Sequence, residues 1–488
     1  MSLLNTDRAA GVLVGCACGD ALGAGYEFGQ VPNEIGMIGG GLGDFAPGEW
    51  TDDTSMAVCV AQAAAQGLDL REAAGLDAVA AGFLRWYAKP PADVGILTST
   101  VLRAAGPKAG AAAMTAVARG VFESGGRAAG NGSLMRTAAV ALNHLDDPEA
   151  AAQAARGVSD LTHADPVAAE ACLIWTLGIR HAVRTGTFDG VRDALQYLPA
   201  DRAVEWAGWL DEAEARDPDH FRKNGWVVQA LQAAWSAIIR TPIPPLDPQA
   251  GSFPAQHFAH AVEAAVRAGH DTDTVAAIAG SLLGAKWGVS AVPLQWKRIL
   301  HGYPDYRARD LVRLAVQAAR CSLGLTPDDG QGWPGVAEMP YPTSRTLAAH
   351  PHDSGVLIGA IDRMRDLPDG VDAVVSLCRL GADEVPAAGV DPDDHIEVWL
   401  IDSNNPDANP HLEFVIDDAA RAVATLRAEG KTVYLHCVQA HSRTPSVAAR
   451  YSIIAYGVDP EKALEEVCAV LPEAHPQRAL AKAVMSLG

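Results

Sequence analysis

Pro47-Gly48-Glu49-Trp50-Thr51-Asp52-Asp53-Thr54-Ser55-Met56 and, far along the chain, Gly269-His270-Asp271-Thr272-Asp273-Thr274 are two acidic clusters, each where a loop enters a helix. Taken singly, either reads as a cap, because Thr and Asp at a helix start satisfy free N–H groups and suit the dipole. Taken together they exceed that need. Each packs two carboxylates and hydroxyls into a few residues, and crowded carboxylates repel one another unless a cation neutralises them. The donors are all oxygen, which selects a hard ion such as Mg²⁺ or Mn²⁺. Two such clusters can hold two ions close together, which orients a substrate hydroxyl and activates water.

Outward from these clusters, residues 1–325 read as helical nearly throughout. Ala-rich stretches with apolar residues three and four apart recur at 56–66, 72–88, 112–122, 149–157, 167–184, 226–240, 255–268 and 274–284. Gly- and Pro-rich connections separate them, and no fixed period repeats. The run Gly39-Gly40-Gly41-Leu42-Gly43 reads as a loop, since no strand precedes it. The texture changes at 326–340, where Thr-Pro-Asp-Asp-Gly and Trp-Pro-Gly mark a linker. Short β-type runs follow at 372–377, 396–401 and 432–436, with helical stretches at 413–429, 446–456 and 460–470. Strands alternating with helices predict an α/β domain with a mostly parallel sheet over 341–488. The expected architecture is therefore multidomain, an all-α bundle over 1–325 followed by a smaller α/β domain, with halves separable near 326–340.

Composition agrees with folded domains. The chain has 488 residues, 49% apolar and 20% charged, enough for two or three cores. Its net charge of -21 argues against nonspecific binding to nucleic acid or anionic membrane. The first residues carry no basic segment followed by an apolar run, so no secretion signal is expected. No uninterrupted apolar run reaches 18 residues, so no membrane span is expected. The eight cysteines are scattered, and Cys16 and Cys18 read as buried thiols. A reducing, cytoplasmic location fits.

Further motifs lie between and around the acidic clusters: Gly15-x-x-x-Gly19-Asp20-Ala21-Leu22-Gly23 with Glu27, Asp93-Val94-Gly95, Gly130-Asn131-Gly132-Ser133-Leu134-Met135-Arg136, Thr162-His163, Asn224-Gly225-Trp226-Val227-Val228, Gly284-Ala285 and Trp287-Gly288. In this order, over residues 8–320, the chain resembles the ADP-ribosylglycohydrolases of the DraG-like type. The resemblance implies a compact all-α fold with a dimetal centre. It implies that Thr51, Asp52, Asp53, Asp271, Asp273 and Thr274 ligate two divalent cations, Mg²⁺ or Mn²⁺. Glu27 matches a glutamate beside the metals. The loop Gly130, Asn131, Gly132 and Ser133 would meet a pyrophosphate through backbone N–H groups, and His163 would line the ribose side. The substrate it implies is an ADP-ribosylated protein or small molecule. His270 replaces a smaller residue common in the family. The run Ile96-Leu97-Thr98-Ser99-Thr100 departs from the polar run usual there, on the leaving-group side.

In the second domain, His436-Cys437-Val438-Gln439-Ala440-His441-Ser442-Arg443-Thr444 follows an apolar strand and opens a helix. A loop of N–H groups at a helix start binds a phosphate dianion. The same dipole with Arg443 favours a Cys437 thiolate, and a guanidinium fork matches phosphate oxygens. Thr444 can hydrogen-bond the sulfur. Asp402, after the 396–401 run, is the candidate general acid. Over 340–488 the chain resembles dual-specificity protein phosphatases, on Val375-Ser376-Leu377-Cys378, Asp402 and 437–444. The resemblance implies hydrolysis of a phosphorylated substrate through a phosphocysteine. The family usually has Gly where this chain has Ala440, a position at which positive φ would cost Ala about 1 kcal/mol. The alternative to two enzymes is a binding protein, an ADP-ribose reader or phospho-ligand adaptor. Complete acidic and Cys-Arg-Asp sets favour the enzyme.

Overall fold

The computed structural model describes residues 3–125, 128–326 and 336–488, so most of the 326–340 segment lies outside the described residues. The chain forms two compact units, one of 1–242, 258–292 and 299–327, the other of 243–257, 293–298 and 328–488. The boundary in space thus does not follow one cut in sequence, because two short segments from the helical part of the chain belong to the second unit.

The first unit is helical, apart from a two-residue antiparallel pair, His301–Gly302 with Tyr306–Arg307. Its central pair is α1 (Leu3–Gly23) and a helix spanning Thr272–Trp287. These run antiparallel at backbone contact. A Cβ on Gly11 would stand 2.2 Å from Gly284 O, one on Gly15 2.2 Å from Gly280 O, and one on Gly19 2.0 Å from Ala276 O. Glycine every fourth residue thus lines the face of α1 that meets its partner. The consequence is positional: the C-terminal end of α1, carrying Asp20, lies beside the first turn at Thr272–Thr274. By length and composition α1 is apolar enough to cross a membrane, but nearly all of it is buried inside the unit, as in a core helix. Cys16 and Cys18 are buried there, outside any disulfide. The first acidic cluster opens α2 (Asp52–Ala65), with Thr51 at its N-cap in extended conformation. The 56–66 and 274–284 stretches read from sequence are the interiors of these two helices, here α2 and α3 (Thr272–Trp287).

The second unit holds a five-stranded sheet. Its strands are β1 (Leu347–His350), β2 (Asp353–Ala360), β3 (Ala373–Ser376), β4 (His395–Glu397) and β5 (Val433–Cys437), in spatial order β1-β2-β5-β3-β4. β1 pairs antiparallel with β2, and every other pairing is parallel. The expected 396–401 strand stops at Glu397, and residues 398–402 lead on without regular structure. One face of the sheet, with Val356, Val375 and Leu435, packs on α4 (Leu412–Ala428), α5 (Arg443–Tyr456) and α6 (Arg478–Ser486) through Ile416, Val423, Val447 and Leu480. The smaller opposite face gathers Ile361, Val374, Leu380 and Tyr434.

The two early segments are built into this unit. Phe253 and Leu294 are buried in the same core as β5 and α4. Leu294 N–H donates to Asp418 at 2.9 Å, and burial pushes that carboxyl up to about 6. Arg298 reaches Asp394 and Glu429, each at 2.7 Å. Its fork holds Glu429 down at about 2, with Lys431 assisting.

Candidate active sites

In the first unit the elements converge as the glycine contacts require. Asp20 is fully buried and accepts from Thr51 N–H and Thr54 N–H at 2.9 Å each and from Thr54 Oγ1 at 2.7 Å. With both its oxygens engaged, it fixes the first turn of α2. That turn presents Asp53, whose Oδ2 accepts from Thr51 Oγ1 at 3.2 Å and from Thr274 Oγ1 at 3.3 Å. Its other oxygen, Oδ1, is buried without a hydrogen-bond partner. Asp273 lies 2% exposed in the first turn of α3. Oxygens of Asp20, Asp53 and Asp273 fall within 4.8 Å of one another, as do those of Glu27, Asp271 and Asp273. Phe28 N–H donates to His270 O at 2.6 Å, joining the residue after Glu27 to the residue before Asp271.

Electrostatics bears out the crowding. Burial, then neighbouring carboxylates, push Glu27 up to about 8 and Asp52 to about 7. Asp53 and Asp273 rise well above the ordinary carboxylate range for the same reasons. An orphaned buried oxygen among stacked carboxylates is the donor chemistry a hard divalent cation satisfies. All six residues named as ligands from the sequence are brought to this place, with Glu27 beside them. Asp20 and Asp93 were quoted in motifs without a role. Asp20 holds α2 in place, and Asp93 acts electrostatically on Glu27, Asp52 and Asp271.

The other first-unit residues line up on one side. Asn131 Nδ2 donates to Asp271 at 2.8 Å, which ties the 130–133 loop to the acidic cluster. Its backbone N–H already donates to Gly225 O at 3.2 Å. Ser133 is fully buried and accepts from Cys172 Sγ at 3.4 Å. In this conformation, then, the Asn131 N–H and the Ser133 hydroxyl each have a partner within the protein. His163 abuts the loop: a Cβ on Gly132 would lie 3.2 Å from its ring. Buried Arg136 donates to Gly132 O at 3.2 Å and to Thr162 Oγ1 at 2.7 Å, and that hydroxyl lies 2.7 Å from His163 Nδ1. Burial and Arg136 hold His163 well below its usual range, so the ring is neutral. Arg136 therefore braces both the loop and the imidazole, a role its place in the motif did not disclose.

These residues lie inside a region that matches a family model described as ADP-ribosylglycohydrolase, over residues 1–323. The chain belongs to the ADP-ribosylglycohydrolase family. Members of this family generally depend on divalent metal. Like them it shares sequence with an ADP-ribosylarginine hydrolase, Tri1, of Pseudomonas putida, at 30% identity over 59% of this chain and 73% of that protein. It is 28% identical to the ADP-ribosyl-dinitrogen-reductase glycohydrolase of Rhodospirillum rubrum over 65% of this ADP-ribosylglycohydrolase homologue and 97% of that one. Beyond the family region, the crystal structure of human DUSP28 superposes on 30% of this chain and 95% of its own, with 18% identity and a TM-score of 0.25. That likeness is too slight to carry a function.

In the second unit the chemistry rests on the site itself. Cys437 ends the central strand β5, and Arg443 opens α5. Cys437, Arg443 and Asp402 line one cavity of about 260 Å³. Arg443 Nη1 donates to Leu377 O at 2.7 Å and Leu400 O at 3.2 Å, while its Nε lies 4.0 Å from Asp402 Oδ2. Nε and Thr444 Oγ1 are buried without hydrogen-bond partners. Ala440 sits at φ +60°, the left-handed region that was foreseen as costly for Ala. Beneath Cys437 runs a buried relay. His395 Nδ1 accepts from Ala387 N–H at 2.9 Å, so its Nε2 donates to Ser376 Oγ at 2.8 Å. The serine proton then serves His436 Nε2 at 2.7 Å, leaving His436 Nδ1–H for Cys437 O at 3.3 Å. Burial drives His436 down to about 3.

Proposed function

We propose that this chain is a divalent-cation-dependent hydrolase that removes ADP-ribose from a modified protein, joined to a cysteine-dependent phosphatase. The observation that carries the first activity is the buried carboxylate cluster with Asp53 Oδ1 unpartnered. Asp52, Asp53, Asp271 and Asp273, with Thr51 and Thr274, are the residues that would hold two cations, Mg²⁺ or Mn²⁺. When bound, the cations supply charge stabilisation and an activated water. Asp20 keeps the Thr51–Asp53 turn in register. Glu27, with an oxygen within 4.8 Å of Asp271 and Asp273 oxygens, stands where a carboxyl oxygen can accept or pass a proton beside the cations. Arg136 and neutral His163 hold the 130–133 loop that borders the acidic cluster. The similarity to an ADP-ribosylarginine hydrolase supports an N-glycosidic linkage to arginine. The decisive experiment incubates the full chain with Mg²⁺ and ADP-ribosylarginine protein and measures free ADP-ribose. No release with either metal would sink the reading.

For the second activity, the shared cavity of Cys437, Arg443 and Asp402 supports nucleophilic displacement. Cys437 Sγ attacks phosphorus and the bond to the leaving oxygen breaks as Asp402 gives that oxygen a proton. Water then cleaves the S–P bond, returning its proton to Asp402 and restoring the thiolate. The guanidinium of Arg443 holds equatorial phosphate oxygens, and Thr444 Oγ1 can donate to the departing sulfur. Cys437→Ser should abolish phosphate release. A cytoplasmic location suits both the reduced cysteines and this thiol chemistry.

A further inference from the structure

We infer that the phosphate ester taken by the second unit is a polyhydroxylated alkyl phosphate, a sugar phosphate, and not a phosphorylated protein side chain. The inference rests on the phosphatase reading above and names the substrate of the same site.

The lining of the cavity carries the argument. Of its nine residues only Val438 is apolar, and none carries a phenyl, phenol or indole ring. Ligand sites usually bury most of their ligand against apolar and aromatic walls. A phosphotyrosine ring entering this cavity would find no such wall, and its burial would return little of the stabilisation that apolar contact supplies.

What the wall offers instead is a set of oriented hydrogen-bonding groups. His475 Nδ1 lies 2.6 Å from Glu473 O. A carbonyl only accepts, so Nδ1 carries a proton, and Nε2 is left to bond a ligand group. His441 Nε2 lies 3.0 Å from the Glu473 carboxylate, which places a proton there and leaves Nδ1 as the second such nitrogen. The two rings stand 4.8 Å apart. Gln477 accepts from Asn404 Nδ2 at 2.5 Å through Oε1, so its amide nitrogen is the donor it offers. Two ring nitrogens and an amide donor suit neighbouring hydroxyls, each of which both donates and accepts.

This wall is also held in place against the phosphate loop. His475 N–H donates to His441 O at 2.7 Å, and Gln477 N–H donates to Ser442 Oγ at 2.9 Å. Groups fixed this way lose little freedom on binding. A site built to bond hydroxyls discriminates against ligands that lack them, because its polar groups are then left unpaired. At about 260 Å³, the cavity is below the roughly 300 Å³ at which drug-sized sites begin, a size that fits one phosphorylated monosaccharide.

The test compares ribose 5-phosphate with a phosphoserine peptide on the full chain, since both release a primary alkoxide of similar intrinsic reactivity. p-Nitrophenyl phosphate serves as the activity control. The expected result is kcat/KM at least about tenfold higher for ribose 5-phosphate, the size of one well-made hydroxyl contact. His475→Ala and Gln477→Leu should each lower that value about tenfold while changing p-nitrophenyl phosphate turnover by less than about twofold. A preference for the phosphopeptide, or equal losses on both substrates in these variants, overturns the sugar-phosphate assignment and leaves the phosphatase standing. Turnover of no phosphate ester, or turnover that survives Cys437→Ser, overturns the phosphatase itself.

Discussion

Replacing Gly19 with Ala tests how the first site is assembled. The added Cβ would stand 2.0 Å from Ala276 O, whereas real Cβ atoms essentially never come closer than 3.0 Å. The atom it meets is backbone, so no side chain can swing aside. The two helices must part by 3.0 − 2.0 = 1.0 Å at that point. Forcing a methyl group into a packed core costs about 1–3 kcal/mol, and each kcal/mol moves the melting temperature of a domain this large by roughly 2–4 °C. The functional loss should be larger than the stability loss. Asp20 follows Gly19 directly, and Asp273 lies three residues from Ala276, so the parting opens the carboxylate cluster itself. A displacement of that size at a reacting centre costs on the order of 10²-fold in rate. Calorimetry with and without Mg²⁺, run beside an ADP-ribose release assay, reads both effects. Gly208→Ala is the control, because its Cβ would meet nothing within 4 Å in the helix Ala200–Ala215. That substitution should stabilise by about 0.5–1 kcal/mol. If Gly19→Ala melts and turns over like the parent while Gly208→Ala behaves as stated, the close-packed pair does not position the site.

Asp273→Asn should abolish most ADP-ribose release and the rise in melting temperature that divalent cation gives the parent, and turnover unchanged by EDTA would refute metal dependence. Ala440→Gly should stabilise the second unit by up to about 1 kcal/mol by relieving the +60° φ; a lower melting temperature would mean that the methyl packing outweighs the strain. His436, held near 3 in the fold against about 6.5 unfolded, contributes stability that is full above 6.5 and is lost as the pH falls toward 3. The second unit should therefore lose about 2 kcal/mol between pH 7 and pH 5, and His436→Asn should flatten that slope; identical slopes in the two proteins would remove His436 as the cause. A chain starting at residue 336 lacks Phe253, Leu294 and Arg298 and should melt well below the second unit of the full chain, since losing one large core side chain alone costs about 2–5 kcal/mol; an equal melting temperature would show the early segments to be dispensable.

Much of this was legible in the sequence where a local rule and the tertiary structure agreed. The helices at 73–88, 148–160, 166–185 and 227–240 show one apolar stripe, and the structure has them within three residues of their expected bounds. The helix α1 was not picked out, because it is buried on all sides and has no polar face to set a period. The first two strands were likewise missed: Leu347–His350 lies half exposed at the sheet edge, and no alternation marks it. The acidic residues of the candidate site were legible because both clusters share the same unusual density of oxygen, and the structure brings them together. Arg136 was not, since a buried arginine is a long-range device whose partners, Gly132 O and Thr162 Oγ1, are visible only in space. The same holds for Arg298, which gives no local hint that it belongs with Asp394 and Glu429.

The placement of 243–257 and 293–298 has a consequence for synthesis. These segments leave the ribosome before any strand of the sheet that receives them exists. At about 5–20 residues per second, the 437 − 298 = 139 residues up to the end of β5 take about 7–28 s. Through that interval Phe253 and Leu294 have no core to enter, and such exposed apolar groups are what chaperones and proteases bind. A chain that stops short within the sheet therefore carries an open wound in its finished-looking first half. Cellular quality control acting on that wound would remove both units together, so the amount of the first unit in the cell follows the folding of the second.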